Sequence, residues 1–331
     1  MNFFKRHEII RPAPHIGLGM AAIGRPAYIN IHHDKNLAGK TSVEALLEHS
    51  FKVLDTAYDN GVRYFDAARS YGRAEKFLAD WIEKRGLRPD DLVIGSKWGY
   101  TYVADWRIEA QVHEIKEHSL KNFNTQWMET YQILGDFLNL YQIHSATLSS
   151  GVLGKADVLD ALRRLKEKGI GIGLTVSGTN QKAVIRQACE IRHDNGLLFD
   201  SVQATWNLLE RAAEDSLREA HRIGIAVIIK ETLANGRLTD QNDHPDFSDQ
   251  LEILTNEAKR LSSTVDALAI SAVLAQPWVD IVLSGAARET HVKSNLKAYE
   301  IPWDEQAEET LKKLREDSSK YWQKRSQMKW K

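Results

Sequence analysis

The sequence predicts an α/β fold: a parallel eight-stranded sheet closed into a (β/α)8 TIM barrel, with the active site at the C-terminal face of the strands. Three observations predict it. Apolar, β-rich runs alternate with amphipathic runs eight times between about residue 15 and residue 298, the pattern of strand–helix units. No Pro/Gly/Ser-rich linker breaks that alternation. Polar side chains stand at the ends of successive apolar runs, where a barrel would gather them into one cup. A doubly wound sheet is the alternative, but eight units of roughly 30 to 40 residues suit closure better.

The eight strand candidates are residues 15–22, 62–66, 92–97, 138–144, 171–177, 201–208, 226–231 and 281–285. Between them lie runs of helical period, such as 43–60, 75–85 and 158–168. In the last, Val158, Leu159, Leu162 and Leu165 share one face, and Arg163, Arg164, Lys166 and Glu167 lie largely opposite. Lys168-Gly169 and Arg222-Ile223-Gly224 read as helix stops, each a basic last turn followed by glycine. The whole chain is expected to be one domain. Residues 1–14, with Pro12 and Pro14, should cover one end of the barrel, and residues 302–331 should form a charged, helical tail ending in an exposed basic run. The polar stretch 232–250 follows the seventh strand and is either a lid or a plain surface loop.

Composition narrows the class. Of 331 residues, 43% are hydrophobic and 27% charged, as in ordinary globular proteins. The net charge of −1 provides no basic field, which argues against nucleic acid or an anionic membrane as main partner. Cys189 is the one cysteine, so no internal disulfide is possible, and its place in a helical pattern predicts a buried, inert thiol. The first residues have no apolar signal core, and no apolar run approaches the roughly 20 residues that span a bilayer. A cytoplasmic enzyme is expected.

The chemistry is concentrated in four residues. Phe65-Asp66-Ala67-Ala68-Arg69-Ser70-Tyr71-Gly72 follows the second strand, Lys97 ends the third and His144 the fourth. Separately, each has a plain structural reading. Asp66 could cap a turn, Tyr71 could be packing, Lys97 could stack on Trp98 and His144 could be a core histidine. Together, at the ends of successive strands, they can protonate a carbonyl oxygen while a hydride arrives from elsewhere. A tyrosine with an ordinary pKa of about 10 is a poor acid. A neighbouring ammonium, Lys97 held by Asp66, is expected to lower that pKa. Neutral His144 would orient the substrate oxygen and stabilise the charge growing on it.

These segments resemble the aldo-keto reductase superfamily. Asp66 to Gly72 matches its Asp-x-x-x-x-Tyr-Gly motif, Lys97 its strand-three lysine and His144 its strand-four histidine, in order and at compatible spacing. The resemblance extends from Gly17-Leu18-Gly19-Met20 to about Ala298. It implies a (β/α)8 barrel, a nicotinamide cofactor lying across the mouth, no metal, and reversible carbonyl reduction. Tyr71 would be the proton donor, Lys97 and Asp66 its tuning pair, and His144 the carbonyl-orienting donor. Gly19 and Met20 would line the nicotinamide end, and Ser177 and Gln203 would bond its amide. The family usually has Asn after that serine, where this chain has Gly178, with Asn180 two residues on. It often has an aromatic ring where Lys230 stands; Trp206 or Trp98 could supply one. Ser284, Gly285, Ala286, Arg288, His291 and Asn295 resemble its adenosine-phosphate loop. Arg288 would take the 2′-phosphate, favouring NADPH over NADH, although arginine or glutamine is common where His291 stands.

The implied reaction is NADPH-dependent reduction of aldehydes, ketoaldehydes or sugar-derived carbonyls, with a small-molecule substrate. Oxidation of an aldose or alcohol is the same chemistry reversed. A second class of function is a regulatory protein on the same barrel with the cofactor's redox state as its signal; a third is a barrel hydrolase or isomerase without nicotinamide. Trp98 and Trp106 either line the substrate pocket or pack beneath a loop. His32, His33, His113 and His118 lack one-face metal spacing and are expected on the surface. Gly17-x-Gly19-x-x-Ala22 loosely matches a dinucleotide motif, but Gly24-Arg25-Pro26 follows and no helix opens there.

Overall fold

The computed structural model describes residues 2–10 and 15–331; Pro12 and Pro14 lie outside them. Among the described residues, eight strands close into a parallel barrel: β1 His15–Gly19, β2 Tyr64–Asp66, β3 Val93–Trp98, β4 Leu138–Ala146, β5 Gly171–Val176, β6 Ser201–Thr205, β7 Ala226–Lys230 and β8 Ile281–Ser284. Each pairs with its sequence neighbours, and β1 closes the ring on β8 through His15 opposite Ile281. The eight expected runs are the eight barrel strands, shorter or longer by a few residues. Two small antiparallel ribbons, Tyr100–Tyr102 with Glu114–Lys116 and Arg192–His193 with Gly196–Leu197, were not anticipated.

Helices α1 Val43–Asp59, α2 Ala74–Arg85, α3 Leu120–Leu134, α4 Ala156–Glu167, α5 Gln181–Glu190, α6 Glu214–Arg222, α7 Ser248–Arg260, α8 Val265–Leu274 and α9 Glu289–Leu296 join the strands, followed by α10 Glu305–Leu311 and α11 Ser318–Ser326. The apolar face of α4 buries Val158, Leu159, Leu162 and Leu165, and Gly169 takes the positive φ that ends it. Among the described residues no helix is long and apolar enough to cross a membrane.

Side chains alternate along each strand between the barrel interior and the helical layer. Phe65, Ile94, Trp98, Tyr141, Ile143 and Val202 face outward into the largest apolar core. Tyr64, Val93, Leu140, Ile228 and Ile281 face inward and form a second core with Phe3, Phe4 and Ile10. The N-terminal segment therefore plugs the lower end of the barrel. It fits because Gly171 has no side chain: a Cβ there would come within 2.4 Å of the Phe3 ring.

The C-terminal segment reverses one expectation. Residues 320–331 are not simply an exposed helix end. α11 buries Tyr321, and Lys331 exchanges both backbone hydrogen bonds with Tyr28 at 3.0 and 3.2 Å, so the tail crosses the upper mouth.

Candidate active site

The inward alternation of β2, β3 and β4 brings Asp66, Lys97 and His144 to the upper mouth. Lys97, fully buried, donates from Nζ to Asp66 Oδ2 at 2.5 Å and to the Ala67 carbonyl at 2.8 Å, and lies 3.4 Å from Tyr71 Oη. Asp66 also accepts from Tyr64 Oη, Gln142 Nε2 and Gln203 Nε2, at 3.1, 3.1 and 3.2 Å. Gly95 makes this convergence possible, because a Cβ there would stand 2.3 Å from Tyr64 Oη. The tight turn after β2, closed by Gly72 at φ +62°, swings Tyr71 back over Lys97. The His144 ring meets Tyr71 edge-on at 5.5 Å and Tyr100 at 4.9 Å. The four residues singled out in the sequence stand together.

Their electrostatics differ from expectation in one respect. Burial, reinforced by Asp66, pushes the Tyr71 hydroxyl well above its ordinary pKa. The main cation that opposes this rise is Arg25. Arg25 is buried, with its guanidinium 5.3 Å from the Tyr71 ring centre and bonded to the Ser70 carbonyl and Glu114. The Lys97 amine is itself lowered by burial, against the pull of Asp66. Burial, with Lys97 and Lys230, lowers His144 well below the ordinary range, so it is neutral at pH 7.

A cleft of about 560 Å³ extends from Asp66, Tyr71 and His144 to the loop after β8. It is lined by Gly19, Ser177, Gln203, Lys230, Ser284, Gly285, Ala286, Arg288, His291 and Asn295. A Cβ on Gly285 would meet no protein atom, so the missing side chain leaves cleft space, and the first turn of α9 has no side-chain cap. Small residues before an uncapped helix start suit a phosphate. With carboxamide and hydroxyl groups at the tetrad end, this donor set fits an extended nicotinamide dinucleotide. Arg288 donates to the Asn36 carbonyl at 2.6 Å and also to the Lys35 carbonyl, which ties the one-turn helix His33–Leu37 over the cleft. Ser284 donates to Asn295 at 2.7 Å, and Asn295 to Asp266 at 2.7 Å.

Several sequence expectations are corrected. Met20 is fully buried in the core and does not line the cleft. Trp98 faces outward, packed on His118 and Phe123, because strand alternation places it opposite Lys97. Trp106 packs on Phe77 and donates to the Thr41 carbonyl at 2.7 Å, beneath a loop and away from the cleft. Trp206 is buried against Trp278 and offers no ring to the site. Asn180 is exposed and does not replace the asparagine missing at Gly178. His33, His113 and His118 are buried rather than on the surface. His113 stacks on Trp330 at 4.3 Å, and His118 Nε2 lies 2.9 Å from the His144 carbonyl. Among the described residues no group of three His, Cys, Asp or Glu side chains converges as a metal site would require.

Sequence reasoning missed Arg25, Tyr28, Glu114, Glu231, Arg325 and Trp330, all of which line the cleft. Glu231 was within reach, since it directly follows Lys230 at a strand end. Its partner Arg325, 94 residues on and 2.6 Å away, carried no local signal. Burial alone would push Glu231 up, but Arg325 and Lys230 hold it down to about 2. The stretch after β7 forms a wall rather than free surface, with Thr232, Asn235 and Thr239 in the lining and Asn235 O accepting from Ile31 N at 3.0 Å.

Comparison with known proteins follows the same outline. The model of the aldo/keto reductase family matches residues 16–316. The uncharacterized oxidoreductase YqkF of Bacillus subtilis is 24% identical over 270 residues, covering 75% of this chain and 81% of its own. The norsolorinic acid reductase of Aspergillus flavus is 24% identical over 266 residues, 75% of this chain and 67% of its own. Among solved structures, the holo form of aldo-keto reductase AKR11C1 from Bacillus halodurans superposes with a TM-score of 0.67 at 20% identity, covering 90% of this chain and 91% of its own. The glycerol dehydrogenase AKR11B4 of Gluconobacter oxydans gives 0.67 at 18%, covering 90% of each chain.

Proposed function

Because the chain belongs to the aldo/keto reductase family and is an NAD(P)H-dependent oxidoreductase, we propose that it reduces aldehyde and ketone carbonyls to alcohols with NADPH, using Tyr71 as general acid. The observation that carries this reading is the convergence of Asp66, Tyr71, Lys97 and His144 at one end of the cleft. Aldehydes, ketoaldehydes and sugar-derived carbonyls are the proposed substrates, and the cytoplasm is the proposed compartment.

Bound nicotinamide supplies the hydride. Tyr71 Oη and neutral His144 hydrogen-bond the carbonyl oxygen and fix its position. As negative charge grows on that oxygen, Tyr71 passes it the hydroxyl proton, and these donors stabilise the transition state more than the ground state. Lys97, 3.4 Å from Oη and held by Asp66, stabilises the phenolate that remains. In reverse, the phenolate accepts the alcohol proton. Gly19 would line the nicotinamide end, Ser177 and Gln203 would bond the amide, and the segment Ser284 to Asn295 would hold the adenosine phosphate, with Arg288 as the donor that selects NADPH.

NADPH absorbance followed across a panel of aldehydes, ketoaldehydes and aldoses tests this, with Tyr71→Phe in parallel. The native protein should oxidise NADPH, and the variant should lose about 10²- to 10⁴-fold in kcat. Full activity in Tyr71→Phe overturns the acid assignment. Tight NADPH binding without turnover in either direction favours the second reading, a redox-sensing protein, which the replacement of an aromatic ring by Lys230 keeps in view.

A further inference from the structure

A second lysine faces the cleft, and carbonyl protonation makes no use of it. Alternation along β7 turns Ile228 inward, Ile229 outward and Lys230 inward, into the lining beside Gln203. Lys230 Nζ donates to Thr205 Oγ1 at 2.9 Å. Thr205 Oγ1 in turn donates to Glu231 Oε2 at 3.1 Å, and the other Glu231 oxygen takes the Arg325 guanidinium at 2.6 Å. The neighbouring carboxylate is thus already neutralised. Among the described residues, Lys230 has no carboxylate within ion-pair distance, whereas Lys97 holds Asp66 directly.

We propose that the Lys230 ammonium makes this site discriminate between the two redox states of its cofactor, holding the neutral reduced nicotinamide more tightly than the cationic oxidised one. The inference rests on the nicotinamide reading of the cleft. A ring that exchanges hydride with a carbonyl held by Tyr71 and His144 must lie within about 3–3.5 Å of it. That confines the ring to the tetrad end of the cleft, the stretch lined by Gln203 and Lys230. Lys230 is within electrostatic reach of both His144 and Lys97. Two unit positive charges sharing one poorly screened end of a cleft oppose each other by enough for about a tenfold change in binding or more.

The charged groups facing Lys230 are Glu231 just after β7, Arg325 on α11, and Lys97 and Asp66 on β3 and β2, with the neutral ring of His144 on β4. Burial dominates and lowers the amine to about 8, with Arg325 and Lys97 adding to the fall and Glu231 and Asp66 opposing it. The ammonium is therefore present at neutral pH and lost above it. Stabilising the reduced form makes the bound cofactor a weaker reductant than the free one. The enzyme should rest loaded with NADPH, and its internal equilibrium should lean toward alcohol oxidation.

The test is calorimetric titration of the full chain with NADPH and with NADP+, at about pH 6.5 and about pH 9.5, on either side of the Lys230 transition. The 2′-phosphate is common to both ligands, so its own titration cancels in the ratio of dissociation constants. Native protein should favour NADPH by about tenfold or more at the lower pH, and the preference should shrink at the higher. Lys230→Met should abolish both the preference and its pH dependence, and Lys230→Arg should keep the preference at both pH values. A native ratio that does not change with pH, or a ratio unchanged in Lys230→Met, overturns the inference while leaving the cofactor reading intact. Failure of either nucleotide to bind overturns the cofactor reading and this inference with it. The native pH series stands even if the Met variant does not fold.

Discussion

The lower and upper halves of the barrel interior are built on opposite principles from the same strands. Below, Tyr64, Val93, Leu140, Ile228 and Ile281 meet Phe3, Phe4 and Ile10 in an almost wholly apolar layer. Above, two residues further along their strands stand Asp66, Gln142 and Lys230, and four residues beyond Val93 stands Lys97. The lower layer is held by shape and exclusion of water. The upper one must satisfy every buried charge by specific partners, so Asp66 takes hydrogen bonds from Tyr64, Lys97, Gln142 and Gln203. Tyr64 joins the two, with its ring in the lower core and its hydroxyl on Asp66. Stability and chemistry are thus divided by height along the strand, and substitutions at the two heights should fail differently.

The largest effect on stability is expected from the lower layer. Leu140→Ala removes a fully buried side chain where neighbouring Gly173 has no side chain to refill the space, and should cost about 2–5 kcal/mol. Denaturant unfolding should show a lower midpoint with unchanged slope, and the folded variant should retain native NADPH affinity. A variant of native stability with weakened cofactor binding would contradict the division.

The same division explains what could be read from the sequence. Short apolar runs alternating with runs of period 3.6 located all eight barrel strands, because most outward strand residues are apolar and pack on an amphipathic helix. The tetrad was legible because chemistry at the end of a strand is local in sequence. Which face a strand-end aromatic takes was not legible without register: Trp98 adjoins Lys97 and therefore points away from it. The roof of the cleft was hidden for a different reason. Arg25 meets Glu114 across 89 residues, and Arg325 meets Glu231 across 94, so only the closed fold brings them together. The basic tail read as solvated surface because its counter-charge lies in another part of the chain.

That roof should yield the next-largest effect. Glu231→Gln leaves Arg325 without its carboxylate and should cost about 2 kcal/mol, concentrated in the tail. Hydrogen exchange should show loss of protection in α11 and at the backbone pair between Tyr28 and Lys331 before any in the barrel strands. The pH dependence has a definite sign. Glu231 titrates at about 2 in the fold and near about 4.3 when unfolded, so its carboxylate contributes stability above the unfolded value. That contribution is lost as pH falls from the unfolded value toward about 2. The difference in melting temperature between native and variant should therefore be full at neutral pH and narrow on acidification through that window. A constant difference would mean that Arg325 docks the tail without needing the Glu231 charge.

The smallest effect is expected at the far end of the cleft, where the structure qualifies the role read from sequence. Two donors of Arg288, Nε and one terminal nitrogen, already bond the carbonyls of Asn36 and Lys35. A 2′-phosphate would have to compete for them or use the remaining nitrogen. His291 adds no cation at neutral pH, because burial and Arg288 lower its pKa. The proposed selection for NADPH would then rest on one partly committed guanidinium, and Arg288→Leu should weaken NADPH about tenfold, on the scale of a single charge-assisted contact, with NADH unchanged. Parallel titrations with the two nucleotides separate the possibilities. Equal losses for both would mean that Arg288 acts by anchoring the His33–Leu37 turn over the cleft, and that the 2′-phosphate is not what it reads.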